Sequence, residues 1–309
     1  LLADLPNGHQ LQALILDAED ADWQVPLHPQ EQQFYCCLLR RINAPPSYLL
    51  FTRTAQGSRG TPLAWSIIFG LICRCALGVL QAHQSPPRTD AEKMQVYVDD
   101  PSLAVRGSPM HCRTQVALVM LVWSLLGVRL AILKGQLGTT VNWIGSTLTI
   151  HSQAVEAVIL QSRMDDVRQL LDSTSKQNVV SLKALRSLTG KLQSIASLMY
   201  VWRPFFHMFY AALHKPDAGG GCPKGCCWRQ QIQVPLDWMR AFLAEQHGDL
   251  RRLFSLDAHL RLGEPITITT DASPFGIGAV LEVGGVITSF FSDGLSVLDR
   301  ALLSTEPSP

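Results

Sequence analysis

The chain has 309 residues, 47% of them hydrophobic and 17% charged, with 26 Lys or Arg against 25 Asp or Glu. This composition excludes wholesale disorder and supports a large core, and the length suits two or three domains. A net charge of +1 gives no global sign of a nucleic-acid binder, and the spacing of the eight cysteines excludes a small disulfide scaffold. No signal peptide opens the chain, so a reducing intracellular setting, cytoplasmic or nuclear, is expected.

In chain order, the apolar run LQALIL reads as a strand ending at Asp17, followed by strand candidates FYCCLL (34–39) and SYLLFT (47–52). Thr61 as a capping residue, with Pro62 at the first helical position, predicts a helix to about residue 82. A polar loop, HQSPPRTDAE, follows. MQVYV, then Asp99 and Asp100, then LAV read as a hairpin with both carboxylates at its turn. A long apolar helix is expected over 110–127, then short strands around RLAIL (129–133) and TVNWIGSTLTI (140–150). Apolar spacing of three and four predicts helices from 152 to 214. A Gly/Pro/Cys-rich break covers 216–227, and VPLDWMRAFLAEQ is one more amphipathic helix. Beyond Gly263, ITITTDAS, GIGAVLEV and GVITSFFS read as a three-strand meander turning at Gly284 and Gly285.

The apolar runs 63–80 and 116–133 are long enough to suggest membrane spans, but each holds an arginine, Arg74 or Arg129, and a core helix under a sheet explains both. Cys222, Cys226 and Cys227, with His207 and His214 upstream, raise zinc, yet CPKGCC is not a finger spacing. Residues 160–230 carry ten Lys or Arg against four Asp, either a solvated helical face or a footing for a phosphate backbone.

Two adjacent carboxylates at the end of an apolar strand repel each other and resist desolvation unless something cationic compensates. Two divalent ions would supply that charge, given several carboxylate oxygens converging on one point. Asp17, also at a strand end, is the natural third donor.

YVDD (97–100) resembles the catalytic motif of reverse transcriptases, and the resemblance continues in the right order. LDAEDADWQVPLHP is similar to the family's first palm motif, QGSRGTP (56–62) to its glutamine-glycine loop, and WIGSTLTI (143–150) to the hairpin that grips the primer. The resemblance implies that Asp17, Asp99 and Asp100 bind two Mg²⁺ ions, with Mn²⁺ as a substitute, and that Asp99 is the more essential of the hairpin pair. It puts Trp23, Gln56, Gly57 and Tyr97 at the nucleotide and template–primer, Trp143 and Gly145 at the primer, and Lys134 at the departing pyrophosphate. Gly57 is expected to let backbone approach a base pair. LTGKLQSIASLMYVWRPF resembles the thumb or connection of retrotransposon polymerases, DIRS-type and LTR-like, with Lys191 and Arg203 as phosphate contacts. TDASPFGIGAVL (270–281) resembles the start of a ribonuclease H domain, Asp271 matching its first metal-binding aspartate.

The implied class is α+β: a reverse-transcriptase palm with partial fingers (1–150), a helical thumb or connection (151–215), a linker and helix (216–263), and the first part of a ribonuclease H-like sheet (264–309). The implied reaction is RNA-directed DNA synthesis from deoxynucleoside triphosphates on a primed RNA or DNA template. Three departures stand out. Asp22 occupies the position that is bulky in the family and screens the sugar 2′ carbon. The upstream fingers are missing, and the ribonuclease H part has one of its carboxylates, so no RNA cleavage is expected. The alternative readings are a catalytically dead relic that keeps the fold, and a membrane protein.

Overall fold

A computed structural model describes residues 1–2, 5–40, 42, 45–82, 92–214, 221–246 and 249–296. The chain forms two compact units, Leu1–Phe254 and a second from Ser255 onward. In the first unit the elements run β1 (Gln10–Ile15), α1 (Ala21–Gln24), β2 (Cys36–Leu39), β3 (Ser47–Leu50), α2 (Thr61–Ala82), β4 (Glu92–Tyr97), β5 (Asp100–Gly107) and α3 (Pro109–Leu125). Then come β6 (Gln136–Gly138), β7 (Thr140–Trp143), β8 (Ser146–Ile150), β9 (Ala154–Ile159), α4 (Gln161–Ser175), β10 (Val179–Ser181), α5 (Leu182–Ala196) and α6 (Phe206–His214). β11 (Cys226–Trp228), α7 (Gln233–Leu243) and β12 (Arg251–Ser255) follow. The second unit holds α8 (Leu256–Leu260) and the meander β13 (Ile266–Ser273), β14 (Gly276–Val283) and β15 (Val286–Gly294). This is a mixed α+β fold with several antiparallel sheets.

The sheet that matters for the site has the order β4-β5-β1-β6. Alternation along β5 buries Pro101, Leu103, Val105 and Gly107 and leaves Asp100, Ser102, Ala104 and Arg106 on the other face. Leu103 and Val105 pack with Leu14 and Leu16 of the neighbouring strand against α2 and α3. From α2 come Trp65, Phe69, Cys73, Ala76 and Leu80, spaced three or four apart so that they share one helix face. Phe69 is fully buried between Trp65 (ring centroids 5.0 Å apart) and Trp123 of α3 (5.9 Å). A second core, around Leu188, Trp202, Phe209 and Leu236, joins α4, α5, α6 and α7.

The outer faces of α2 and α3 depart from the core-helix expectation. Leu63, Ile67 and Leu71 of α2 are 62–68% exposed, and Leu125 of α3 is 76% exposed. α2 is long and apolar enough to cross a membrane, with a mean hydropathy of 2.1, yet its inner stripe is built into the core of a sheet. Thr61 does not cap that helix through its side chain, because its hydroxyl is buried without a partner among the described residues and the Gly60 carbonyl accepts from Ala64 N–H.

RLAIL does not form a strand. Its backbone is taken by the loop after β1: Glu19 N–H donates to Arg129 O and Ala131 N–H to Asp17 O, both at 2.9 Å. Leu130 makes a single bridge to Ala18, residues Ile132–Lys134 close a 3-10 turn, and β6 takes the place beside β1. Residues 154–159, expected as helix, are β9, which pairs with β8 in the sheet β12-β9-β8-β7. The β2–β3 hairpin, α3, α7 and the final meander stand where the pattern put them, with Gly284 and Gly285 at the last turn. Most of the polar loop, 83–91, and 215–220 of the Gly-rich break lie outside the described residues.

Two core substitutions have opposite expected signs. Phe69→Ala leaves a cavity between two indoles and costs about 3–5 kcal/mol. Gln115 of α3 is fully buried, and neither of its amide atoms has a hydrogen-bond partner among the described residues. Gln115→Leu relieves that desolvation and stabilises the protein by about 1–2 kcal/mol. Urea unfolding of the two variants beside the wild type measures both.

Candidate functional site

The pairing of β1 with β5 runs from Gln10↔Gly107 to Ile15↔Ser102, and backbone bonds carry it past the strand end. Leu16 N–H donates to Pro101 O (3.3 Å) and Ala18 N–H to Asp99 O (3.1 Å). In that register Asp17 stands across from Asp100. Both alternate away from α2 and α3, onto the face opposite the core. On the other edge of β5, Tyr97 pairs with Asp100 around a two-residue turn of Val98 and Asp99. Val98 adopts φ +56°, a left-handed conformation that a β-branched residue occupies only under strain. The hairpin therefore brings Asp99 and Asp100 beside Asp17, 82 positions earlier in the chain, through main-chain bonds alone.

Like charges opposite each other in a sheet are destabilising. Burial, then the charges of Asp99 and Asp17, push the Asp100 carboxyl above the ordinary aspartate range, and Lys134 pulls the other way. Lys134 Nζ lies 2.8 Å from Asp17 Oδ2. That hydrogen bond, with the charge of Asp17, raises the lysine above its usual range. The lysine reaches Asp17 because the main-chain bonds from Asp17 and Glu19 hold the 129–134 segment alongside the first strand.

A cleft of about 460 Å³ opens here, lined by Asp17, Glu19, Asp20, Asp22 and Asp99, with Lys134 the cation among its lining residues. Gln56, Trp23, Pro62 and Trp65 complete its walls. Trp23 packs on Phe51 with ring centroids 5.6 Å apart, and the Thr54 hydroxyl holds the Asp22 carbonyl. Five carboxylates around one ammonium make the cleft a sink for cations. The donors are all oxygen, the type a hard divalent ion takes, and backbone bonds gather them. The donor type thus suits a hard divalent ion such as magnesium. The side chains themselves stand spread, with Asp17 engaged by Lys134. Among the described residues no three His, Cys, Asp or Glu side chains converge on one point, which also leaves Cys222, Cys226 and Cys227 without a zinc geometry.

The other expected residues fall in several places. Gln56 lines the cleft. Gly57 has φ +85° and open space where a Cβ would stand, so its turn, rather than close backbone approach, requires glycine. Trp143 donates from its indole N–H to the Asp100 carbonyl at 3.2 Å, tying the β7–β8 hairpin to the catalytic candidates. Gly145, in the turn of that hairpin, has φ +75°, a left-handed conformation that favours glycine, and the Arg163 guanidinium lies against it. Lys191 pairs with Asp166 at 3.1 Å. Arg203 Nε donates to Ala196 O (3.2 Å), and its guanidinium lies 4.1 Å from the Tyr200 ring centroid. In the second unit Asp271 is exposed on β13, opposite Gly278, and accepts from the Ala272 N–H. The sequence reading missed the cleft acids Glu19 and Asp20 and the anchoring role of Trp143. Spacing from Asp17 could have flagged the two acids, but the Trp143 bond needed the fold.

No family model matches the chain, and no curated protein matches it in sequence. Among solved structures it is similar to a foamy viral protease-reverse transcriptase in complex with dsDNA, with a TM-score of 0.51 and 14% identity. The chain shares a reverse-transcriptase-like fold. The match covers 94% of this chain and 52% of that one, so the chain spans about half the length of this structural neighbour. At that identity the likeness speaks for the fold and leaves the chemistry to the residues themselves.

The Asp100 shift fixes a pH dependence. A carboxyl whose folded pKa lies above its unfolded value binds more protons when folded, so it destabilises the fold as pH rises through the interval between the two values. Asp100→Asn, compared with wild type in EDTA, should raise the melting temperature at neutral pH. The gain should vanish as pH falls to the ordinary aspartate range. A constant offset at every pH would contradict burial and neighbouring charge as the origin of the shift.

Proposed function

We propose that this chain is the polymerase part of a retroelement reverse transcriptase, adding deoxynucleotides to a primer on an RNA or DNA template. The observation that carries the reading is the main-chain ladder from Leu16 and Ala18 to Pro101 and Asp99. It gathers Asp17, Asp99 and Asp100 at one end of a sheet, beside an acidic cleft that also holds Gln56 and Lys134. In this reading residues 1–150 are the palm with part of the fingers, 151–215 the thumb or connection, 216–263 a linker and helix, and 264–309 the start of a ribonuclease H-like sheet.

Asp17, Asp99 and Asp100 would hold magnesium, or manganese in its place. When bound, the metal lowers the pKa of a primer 3′-hydroxyl and neutralises charge on the triphosphate. The sheet supplies the positioning. Trp143 fixes the Asp100 carbonyl, and the antiparallel ladder fixes Asp17 against the hairpin. Lys134 is exposed, so its ammonium can leave the Asp17 carboxylate and donate a hydrogen bond or proton to the departing pyrophosphate. Gln56 and Trp23, on the cleft walls, contact the template–primer pair and the incoming nucleotide, with Tyr97 beside them on the hairpin.

A second reading, a relic that keeps the fold without the reaction, is favoured by Asp22. That carboxylate lines the cleft where an anionic nucleotide would sit, alongside Glu19 and Asp20. Asp22→Tyr separates the two readings: it should raise extension by an active enzyme and change nothing in a relic.

Primer extension on a poly-rA template with Mg²⁺ tests the first reading. Asp99→Asn should lower the rate by at least about a hundredfold, the loss that follows removal of a single group acting on the transition state, with a melting temperature no lower than that of the wild type. Full activity in that variant would overturn the assignment of Asp99.

A further inference from the structure

Away from the cleft, two arginines from distant parts of the first unit meet on one aromatic ring. The Arg203 guanidinium lies 4.1 Å from the Tyr200 ring centroid and that of Arg252, on β12, lies 3.9 Å from it. The two distances cap the separation of the cations at about 8 Å. Each is held by a main-chain carbonyl at the C-terminal end of α5. Arg203 Nε donates to Ala196 O, and Arg252 donates to Leu198 O at 3.3 Å. Arg252 also lies 4.8 Å from the centroid of Phe254, and Tyr200 and Phe254 are 50% and 45% exposed.

The neighbouring residue shows what is unusual here. Adjacent side chains on a strand point to opposite faces, and Arg251 turns to Asp249 (3.0 Å) and Glu156 (3.5 Å). Among the described residues neither Arg203 nor Arg252 has a carboxylate partner. Two like charges are thus held near each other with most of their N–H forks unused, an arrangement that an anion bridging both would relieve. A cavity of about 210 Å³ lined by Gln193, Ser197 and Tyr210 adjoins Arg203. α5 contains no acidic residue, and Lys183 and Arg186 are exposed toward its other end.

We propose that Arg203, Tyr200 and Arg252 form a phosphate clamp for the backbone of a polynucleotide. The two forks take phosphodiester oxygens, and the exposed Phe254 ring gives an adjacent unpaired base a face to stack on. Cations interleaved with aromatic rings suit a polynucleotide better than a free anion, which would need the guanidiniums alone. The clamp rests on the reading of this chain as a nucleic-acid enzyme, but it is independent of the carboxylates.

Fluorescence anisotropy with a labelled RNA–DNA duplex carrying a single-stranded overhang tests it, using the whole chain at several salt concentrations. Arg203→Gln and Arg252→Gln should each weaken binding by about tenfold and make the plot of log affinity against log salt shallower by about one. Arg252→Lys keeps the charge, so it should keep the slope while losing part of the affinity. Because both arginines also hold α5 carbonyls, the slope, which a merely structural role would not move, is the deciding readout, and Arg252→Lys gives it in a variant that keeps the cation. If the wild type binds and no variant changes affinity or slope, the clamp is wrong and the polymerase reading stands. If the wild type binds no polynucleotide, both fail. If inorganic phosphate at millimolar concentration displaces the duplex completely, the pair is a small-anion site and the proposal is overturned.

Discussion

The site depends on two backbone hydrogen bonds made where regular pairing should have ended. β1 and β5 could part company at Ile15 and Ser102, leaving Asp17 in a loop of its own. Instead Leu16 and Ala18 go on donating to Pro101 and Asp99, and this extension sets a carboxylate from the first seventeen residues directly across from Asp100. Every other feature of the cleft follows from that placement. The alternation of the pleat turns the acids away from α2 and α3, and the apolar partners Leu14, Leu16, Leu103 and Val105 carry the core.

Gathering carboxylates in this way is unfavourable by itself, and the surrounding structure offsets the cost. Lys134 neutralises Asp17 at 2.8 Å and lowers the burden on Asp100. It is available because the segment that carries it was drawn out of strand geometry by the Asp17–Glu19 loop. The strained Val98 completes the arrangement, since a tight two-residue turn is what keeps Asp99 and Asp100 at the rim rather than under it. Strain and repulsion thus meet at one point, supported by a core of stacked aromatics beneath. The Arg203–Tyr200–Arg252 stack repeats this logic with the opposite charge, away from that sheet.

Where local pattern and tertiary demand agreed, the sequence was readable. α2, the β4–β5 hairpin, α3, α7 and the β13–β15 meander announce themselves through periodicity, a capping proline and a Gly-Gly turn. The failures have common causes. RLAIL has strand composition, but its backbone groups were claimed by a loop more than a hundred residues earlier. β9 was hidden because AVEAVI fits helical spacing as well as strand alternation, and only β8 and β12 on either side decide for the strand. Lys191, expected as a phosphate contact, also pairs with Asp166, a partner that spacing did not show. Arg252 carried no motif at all, since its meaning lies in a ring 52 positions away.

By itself, then, the amino-acid order determined which acids end apolar strands, where the long helices begin and which faces they bury, because these depend on neighbours a few residues apart. It marked Asp17, Asp99 and Asp100 as candidates one by one. That Asp17 and Asp99 share a cleft with Gln56, that Lys134 rather than a distant base neutralises Asp17, and that Trp143 holds Asp100 were decided only by the tertiary structure. Each of these is a contact between segments far apart in the chain, fixed by strand register and helix packing that no local pattern encodes.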